Sequence, residues 1–415
     1  MRNRVAITGM GVLSPIGNTL TEFWDSLMTG RSGIGLTTKC DCSDMSSKIS
    51  GEVKNFDPLN FIGPKEVKRI DISQQYAIAA SDMAWEDAGL NEHNYDPDRT
   101  GVIIGSGIGG IVTFEIQHSL VVNGKAGRIS PFFIPMMIPD MAAGLVSIKH
   151  KCGGPNYASV SACASSANAI GDAYMIIERG AADIMVTGGT EASITRTAVA
   201  GFCNAKALST RNDSPQTASR PFDKDRDGFI ISEGSGILIL ENWEHAQKRG
   251  AKIYAEIIGV GMSGDAYHIT APHPEGDGAA RAMLAAIADA GIRREEINYI
   301  NTHGTSTVLG DVAESLAIKR VFGEQAYRIP CNSTKSMTGH LLGATGAVEL
   351  IASALQIINK RIHQTTNHQV PDEQCDLYYV HDGPKDYDIN YLLSNSFGFG
   401  GHNVSLLVKN CLNGK

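Results

Sequence analysis

The sequence predicts an α/β fold with buried sheets, built from two similar halves, residues 1–250 and 251–415. Three observations carry that prediction. Short β-prone apolar runs alternate with helical stretches that stop on glycine, the order expected when helices cover the faces of a sheet. Two of the helices close alike, on Asp87-Ala88-Gly89-Leu90 and on Asp289-Ala290-Gly291-Ile292; each is followed by a strand-like run and later by a strand leading into a small-residue helix. A chain of 415 residues, 42% of them hydrophobic, is long enough to bury a large core.

Residues 5–7 open the first strand. The basic start gives this region the look of a leader peptide, but Thr8, Gly9 and Gly11 break the apolar run and Pro15 follows without a small-residue cleavage site. Helical periodicity covers 74–89, and 102–104 reads as a strand ending in Gly105-Ser106-Gly107-Ile108-Gly109-Gly110. That turn matches a dinucleotide fingerprint, yet no acidic residue stands near the twentieth position beyond it to hold a ribose hydroxyl. It reads instead as a tight turn where backbone passes close to a substrate or another chain. A β-prone run then delivers Cys163 to a helix over 165–180, followed by strands at 184–186 and 237–240. Between these strands, residues 223–228 resemble the opening of a calcium loop, but its twelfth position is Gly234 and Glu233 comes one place early, so a charged structural turn is expected. The second half carries strands at 253–260 and 404–408, a helix over 277–291, and an alanine- and glycine-rich stretch over 341–355.

Composition excludes several classes. A net charge of −8 argues against a nucleic-acid partner, which would need a basic surplus. The apolar run over 102–112 is cut by four glycines and falls short of the roughly 20 residues of a membrane span. Eight cysteines are too sparse for a disulfide framework, and Cys40 and Cys42 lack zinc-knuckle spacing, so a reducing cytoplasm fits and no metal site is expected.

Cys163 is the informative residue. It stands at the first turn of a helix made of small residues, where unpaired amides and the helix dipole favour negative charge and lower a thiol's pKa. Two histidines lie in loops of similar character, His303 in Asn301-Thr302-His303-Gly304-Thr305-Ser306-Thr307 and His340 after Lys335-Ser336-Met337-Thr338-Gly339. One cysteine with one histidine would also suit a papain-like thiol hydrolase; the second histidine and the lack of a hydrolase signature around Cys163 count against it.

On these residues, together with Ala162-Cys163-Ala164-Ser165-Ser166 and Ser396-Phe397-Gly398-Phe399-Gly400-Gly401, the chain resembles the elongating β-ketoacyl-acyl-carrier-protein synthases almost from end to end. The resemblance implies the thiolase-like fold, two similar α/β halves in five αβαβα layers, and a homodimer. It implies an acyltransferase that condenses an acyl thioester on Cys163 with malonyl-acyl-carrier-protein after decarboxylation, His303 and His340 stabilising the enolate. It makes Lys335 and Glu314 a supporting charged pair, Phe399 a mobile gate whose amide joins that of Cys163 in an oxyanion hole, and Thr305 and Thr307 contacts for the pantetheine arm. Ile108 and Phe202 become walls of an apolar tunnel that sets chain length.

No cofactor is required on this reading, though some relatives carry a structural monovalent cation. The acidic carrier protein calls for a local basic surface, for which Lys65, Lys68 and Arg69 stand at helical spacing and Lys206 and Arg211 form a second cluster. A ketosynthase of a type II polyketide or aryl-polyene pathway would share these motifs. A non-catalytic chain-length partner would lack the nucleophile. Val308 stands where proline is common, and His402 where many relatives have threonine.

Overall fold

Two sets of five strands repeat one order. In the computed structural model, which describes residues 2–411, the first set comprises β1 (Val5–Leu13), β2 (Thr100–Gly105), β3 (Asn156–Tyr157), β4 (Ile184–Glu191) and β5 (Gly234–Asn242), arranged β3-β2-β4-β5-β1. The second comprises β6 (Ala255–Gly264), β7 (Tyr299–Asn301), β8 (Cys331–Asn332), β9 (Tyr391–Gly398) and β10 (His402–Lys409), arranged β8-β7-β9-β10-β6. Directions agree as well. In each set the two pairings farthest from the shared edge are parallel and the other two antiparallel. The sets join edge to edge where Val5–Ile7 of β1 pairs with Ala255–Ile257 of β6. Met1 and 412–415, the outer ends of the two expected halves, lie outside the described residues.

Three apolar clusters define five layers. Helices α1 (Ile72–Asp87) and α2 (Met141–His150) cover the outer face of the first set, where Ala80 and Val146 meet Val102, Val186 and Ile239. Helix α3 (Ser165–Glu178) lies in the centre. Helices α4 (Asp277–Ala290) and α5 (Val308–Phe322) cover the second set, placing Met283 and Ile318 against Ile300, Leu393 and Leu407. Helix α6 (Thr345–Asn359) joins α3 in the centre, and their residues share one cluster with apolar side chains of both strand sets. The stretch Leu342–Asn359 is long and apolar enough to cross a membrane, a feature the reading of 102–112 overlooked; it is buried inside the protein as this central helix.

The repeated Asp-Ala-Gly has a physical cause. A Cβ at Gly11 of β1 would lie 2.1 Å from the Ala80 carbonyl oxygen of α1, and one at Gly261 of β6 only 1.9 Å from that of Ala282 of α4. Gly9 and Gly259 make the same close approaches to Ala84 and Ala286. Between each glycine pair one amide points at the helix: Met10 N–H donates to Asp87 at 2.9 Å, and Val260 N–H donates to Asp289 at 3.0 Å. The same strand-to-helix lock is therefore built twice.

Candidate active site

The chain reaches Cys163 through a tight turn, Ala162–Ala164, that feeds directly into α3. Ala162 has φ +52°, a left-handed conformation costly for a residue with a Cβ. The second half has the same elbow: Leu342, at φ +48°, heads the turn Leu342–Ala344 before α6, and Gly343 stands where the first half has Cys163. Only the first elbow carries a nucleophile.

Cys163 is half-buried and lines a cavity of about 280 Å³ with Ile108, Phe202, His303, Thr305, Thr307, Glu314, His340 and Phe399. The expected lowering of its pKa is corrected here. Burial pushes the thiol up to about 11, outweighing the downward pull of the Lys335 charge and of the Phe399 and Cys163 N–H groups. Two amides at the sulfur do not replace the water that the closed site removes.

His303 follows β7 and His340 follows the short helix Lys335–Thr338; their rings meet edge to face, centroids 5.4 Å apart. Burial drives both imidazoles well below the usual histidine range, and the Lys335 charge pushes the same way. Both are neutral at neutral pH. His340 Nδ1 lies 2.9 Å from the Thr345 hydroxyl at the start of α6, while His303 Nδ1 is buried with no hydrogen-bond partner among the described residues.

The expected pairing of Lys335 with Glu314 is wrong. Lys335 Nζ pairs with Glu349 of α6 at 2.7 Å and donates to the His303 carbonyl. Glu314 is occupied elsewhere: it accepts the N–H groups of His303 and Gly304, both at 2.8 Å, and the Asn395 amide at 3.2 Å. It fixes the His303 loop while Lys335 holds the same loop from its carbonyl side. Burial raises both carboxyls to about 7.

The remaining expected residues divide by position. Thr305 and Thr307 share a hydroxyl hydrogen bond of 2.9 Å at the cavity wall. Phe202 sits edge-on to Phe229, centroids 5.4 Å apart. Phe399 precedes Gly400 and Gly401, whose φ values of +86° and +72° favour glycine. Lys65, Lys68 and Arg69 are exposed, but only a single turn, Val67–Arg69, forms there, so the three do not lie along a helix. Lys206 is exposed, and Arg211 donates to the Asp225 carbonyl at 3.0 Å. Asp223 of the calcium-like segment spends its carboxylate on the amides of Asp225, Gln369 and Val370.

Two residues escaped sequence reasoning. Glu349 is an acid on the buried helix α6, a signal in itself because such a group needs a partner. Glu191, buried at the end of β4, accepts hydrogen bonds from the Gly107 and Gly343 amides at 2.8 and 3.0 Å.

Five layers with a cysteine and two neutral histidines at one cavity define a thiolase-fold acyl-transferring enzyme. Residues 2–246 match the family described as Beta-ketoacyl synthase, N-terminal domain, and 254–369 match Beta-ketoacyl synthase, C-terminal domain. The chain belongs to the beta-ketoacyl synthase family. It is 53% identical over 406 residues to 3-oxoacyl-[acyl-carrier-protein] synthase 2 of Staphylococcus aureus, covering 98% of each chain. Identity to the synthase 2 of Synechocystis is 51% over 408 residues, with 98% coverage of both. A solved type II polyketide ketosynthase, AntDE:AntF, in complex with its acyl-carrier protein, superposes with a TM-score of 0.92 at 35% identity, covering 99% of this chain and 100% of that one.

Proposed function

We infer that the chain is a 3-oxoacyl-[acyl-carrier-protein] synthase of the synthase 2 type, elongating fatty acids by two carbons through decarboxylative Claisen condensation. The observation that carries the residue assignment is the convergence of Cys163 with two neutral, buried imidazoles on one cavity. Cys163 attacks the thioester of acyl-carrier-protein; the pantetheine thiol leaves with the proton the cysteine gives up, and the acyl chain stays on sulfur. Malonyl-carrier-protein then binds and loses carbon dioxide. The electron pair left behind forms an enolate whose oxygen His303 and His340 stabilise by N–H donation, as neutral imidazoles can. The enolate carbon attacks the Cys163 thioester, the amides of Cys163 and Phe399 hold the resulting oxyanion, and its collapse expels the cysteine thiolate.

Other groups support these steps. Lys335 and Glu314 set the His303 loop, and burial together with the Lys335 charge keeps both imidazoles unprotonated. Thr305 and Thr307 contact the pantetheine arm, Ile108 and Phe202 bound the acyl tunnel, and Phe399 swings aside before acylation. Lys65, Lys68, Arg69, Lys206 and Arg211 face the acidic carrier protein. The enzyme is a cytoplasmic homodimer, with its halves divided at 250. A monovalent cation would be held by Asn301 Oδ1 and Glu349 Oε2, which are buried and have no hydrogen-bond partner among the described residues. It would be structural. Identity of 53% to a 3-oxoacyl-[acyl-carrier-protein] synthase 2 against 35% to a type II polyketide ketosynthase favours saturated acyl chains as substrates.

The test uses saturated acyl-carrier-protein and malonyl-carrier-protein with purified enzyme. The 3-oxoacyl product should be two carbons longer than the acyl donor, and Cys163→Ala should abolish its formation. His303→Ala and His340→Ala should slow malonyl decarboxylation by about 10²–10³-fold each, the usual cost of one lost oxyanion donor. Full elongation by Cys163→Ala would overturn the assignment, and failure to extend saturated chains would move the enzyme to the polyketide class.

A further inference from the structure

Glu191 is a carboxylate the condensation does not use. It is fully buried and has no cation within ion-pair distance among the described residues, an arrangement that costs stability unless hydrogen bonds compensate. Five donors do so. Oε2 accepts the Gly107 N–H at 2.8 Å and the Gly343 N–H at 3.0 Å; Oε1 accepts the Ile108 N–H at 3.2 Å and the Ser106 and Ser193 hydroxyls at 3.2 and 3.1 Å. The Ser106 oxygen accepts in turn from the Gly109 N–H at 3.1 Å, so the whole turn from Ser106 to Gly109 is threaded onto one carboxylate.

The glycines make this convergence sterically workable. A Cβ at Gly343 would stand 2.2 Å from the Gly107 nitrogen and 2.8 Å from Glu191 Oε2, and one at Gly107 would stand 2.9 Å from the same oxygen. Glu191 therefore clamps the glycine turn, with Ile108 on it, to the elbow of the second half. Gly107, Ile108 and Leu342, which adjoins Gly343, all line the cavity that holds Cys163.

We propose that Glu191 is a positioning residue for chain-length selection: by fixing the turn that carries Ile108 against Gly343, it sets where the acyl tunnel ends. The proposal rests on the reading of Ile108 as a tunnel wall. Glutamine at this position turns an NH₂ toward at least one backbone N–H, because Oε1 accepts one and Oε2 two, so the clamp opens with little change in volume.

The experiment measures kcat/KM over saturated acyl-carrier-protein substrates of increasing length, and malonyl decarboxylation separately, for wild type, Glu191→Gln, Ile108→Ala and the double variant. Glu191→Gln should raise kcat/KM for chains beyond the wild-type limit, relative to short ones, by about tenfold, the scale of a misfitted methylene in an apolar pocket. Malonyl decarboxylation should change less than about twofold. The double variant should shift no further than Ile108→Ala alone, since both changes act through one wall. A proportional loss at every length, or an unchanged profile where Ile108→Ala shifts it, overturns the role of Glu191 and leaves the tunnel reading standing. An unchanged profile in Ile108→Ala overturns the tunnel reading. If Glu191→Gln fails to fold, Ser106→Ala removes one donor and is read against the same outcomes.

Discussion

Lys335 is only 1% exposed, and its ammonium acts on three groups at once. It lowers the affinity of both imidazoles for protons and partly offsets the burial that raises the Cys163 thiol. The signs give different pH profiles for the two half-reactions. An imidazole whose pKa lies below its ordinary value is already neutral at about pH 6.5, so malonyl decarboxylation should stay flat from there to about pH 9. The thiol, at about 11, is protonated throughout that window, and each pH unit raises the thiolate fraction about tenfold. Acyl transfer from the carrier to Cys163 should therefore climb with pH while decarboxylation does not. Single-turnover assays of each half-reaction check this, and an inflection near pH 6.5 in decarboxylation would refute the neutral-imidazole reading. Cys163, His303 and His340 were legible because each stands among small residues at the edge of an element. The partner of Lys335 was not, since spacing along the chain does not reveal which of two carboxylates faces a given ammonium after folding.

The duplicated strand-to-helix lock gives a prediction at the scale of elements. Gly11 and Gly261 leave no room for a methyl group against the carbonyls of α1 and α4, so Gly11→Ala or Gly261→Ala must push strand and helix apart. Each should cost about 1–3 kcal/mol, the usual range for overpacking a core. Gly35→Ala is the control, because nothing lies within 4 Å of the added Cβ. Denaturant unfolding should separate them; equal losses at Gly11 and Gly35 would show that close approach is not the cause. The lock also explains what the sequence revealed of the fold. Its helix ends repeat visibly as Asp-Ala-Gly, whereas β9 was invisible because Ser394, Asn395 and Ser396 look like loop residues. Ser394 and Asn395 are buried there with their polar groups paired: Asn301 donates to Ser394 at 3.1 Å, Ser405 donates to Asn395 at 2.8 Å, and Asn395 donates to Glu314. Polar strands that line a site break the alternation by which strands are read. β3 and β8, at two residues each, are too short to leave a pattern.

At the scale of the molecule, the two ends of the repeated sheet are treated differently. The end at β8 is closed, with Cys331 and Asn332 buried and the Cys331 N–H donating to the Tyr378 carbonyl at 2.9 Å. The matching end at β3 is open: Asn156 is exposed, Tyr157 is 41% exposed, and Val160, three residues further on, 57%. An open strand edge beside uncovered apolar side chains invites aggregation unless another chain covers it. A second copy placed edge to edge on β3 would continue the sheet and cover Tyr157 and Val160, which is how the proposed homodimer would form. Light scattering should then give a mass of twice 44.3 kDa at micromolar concentration. A charge placed at Val160, in a Val160→Glu variant, should yield the single-chain mass with native secondary structure retained. A wild type that already scatters as one chain would remove the dimer. A Val160→Glu variant that stays dimeric would place the interface away from β3.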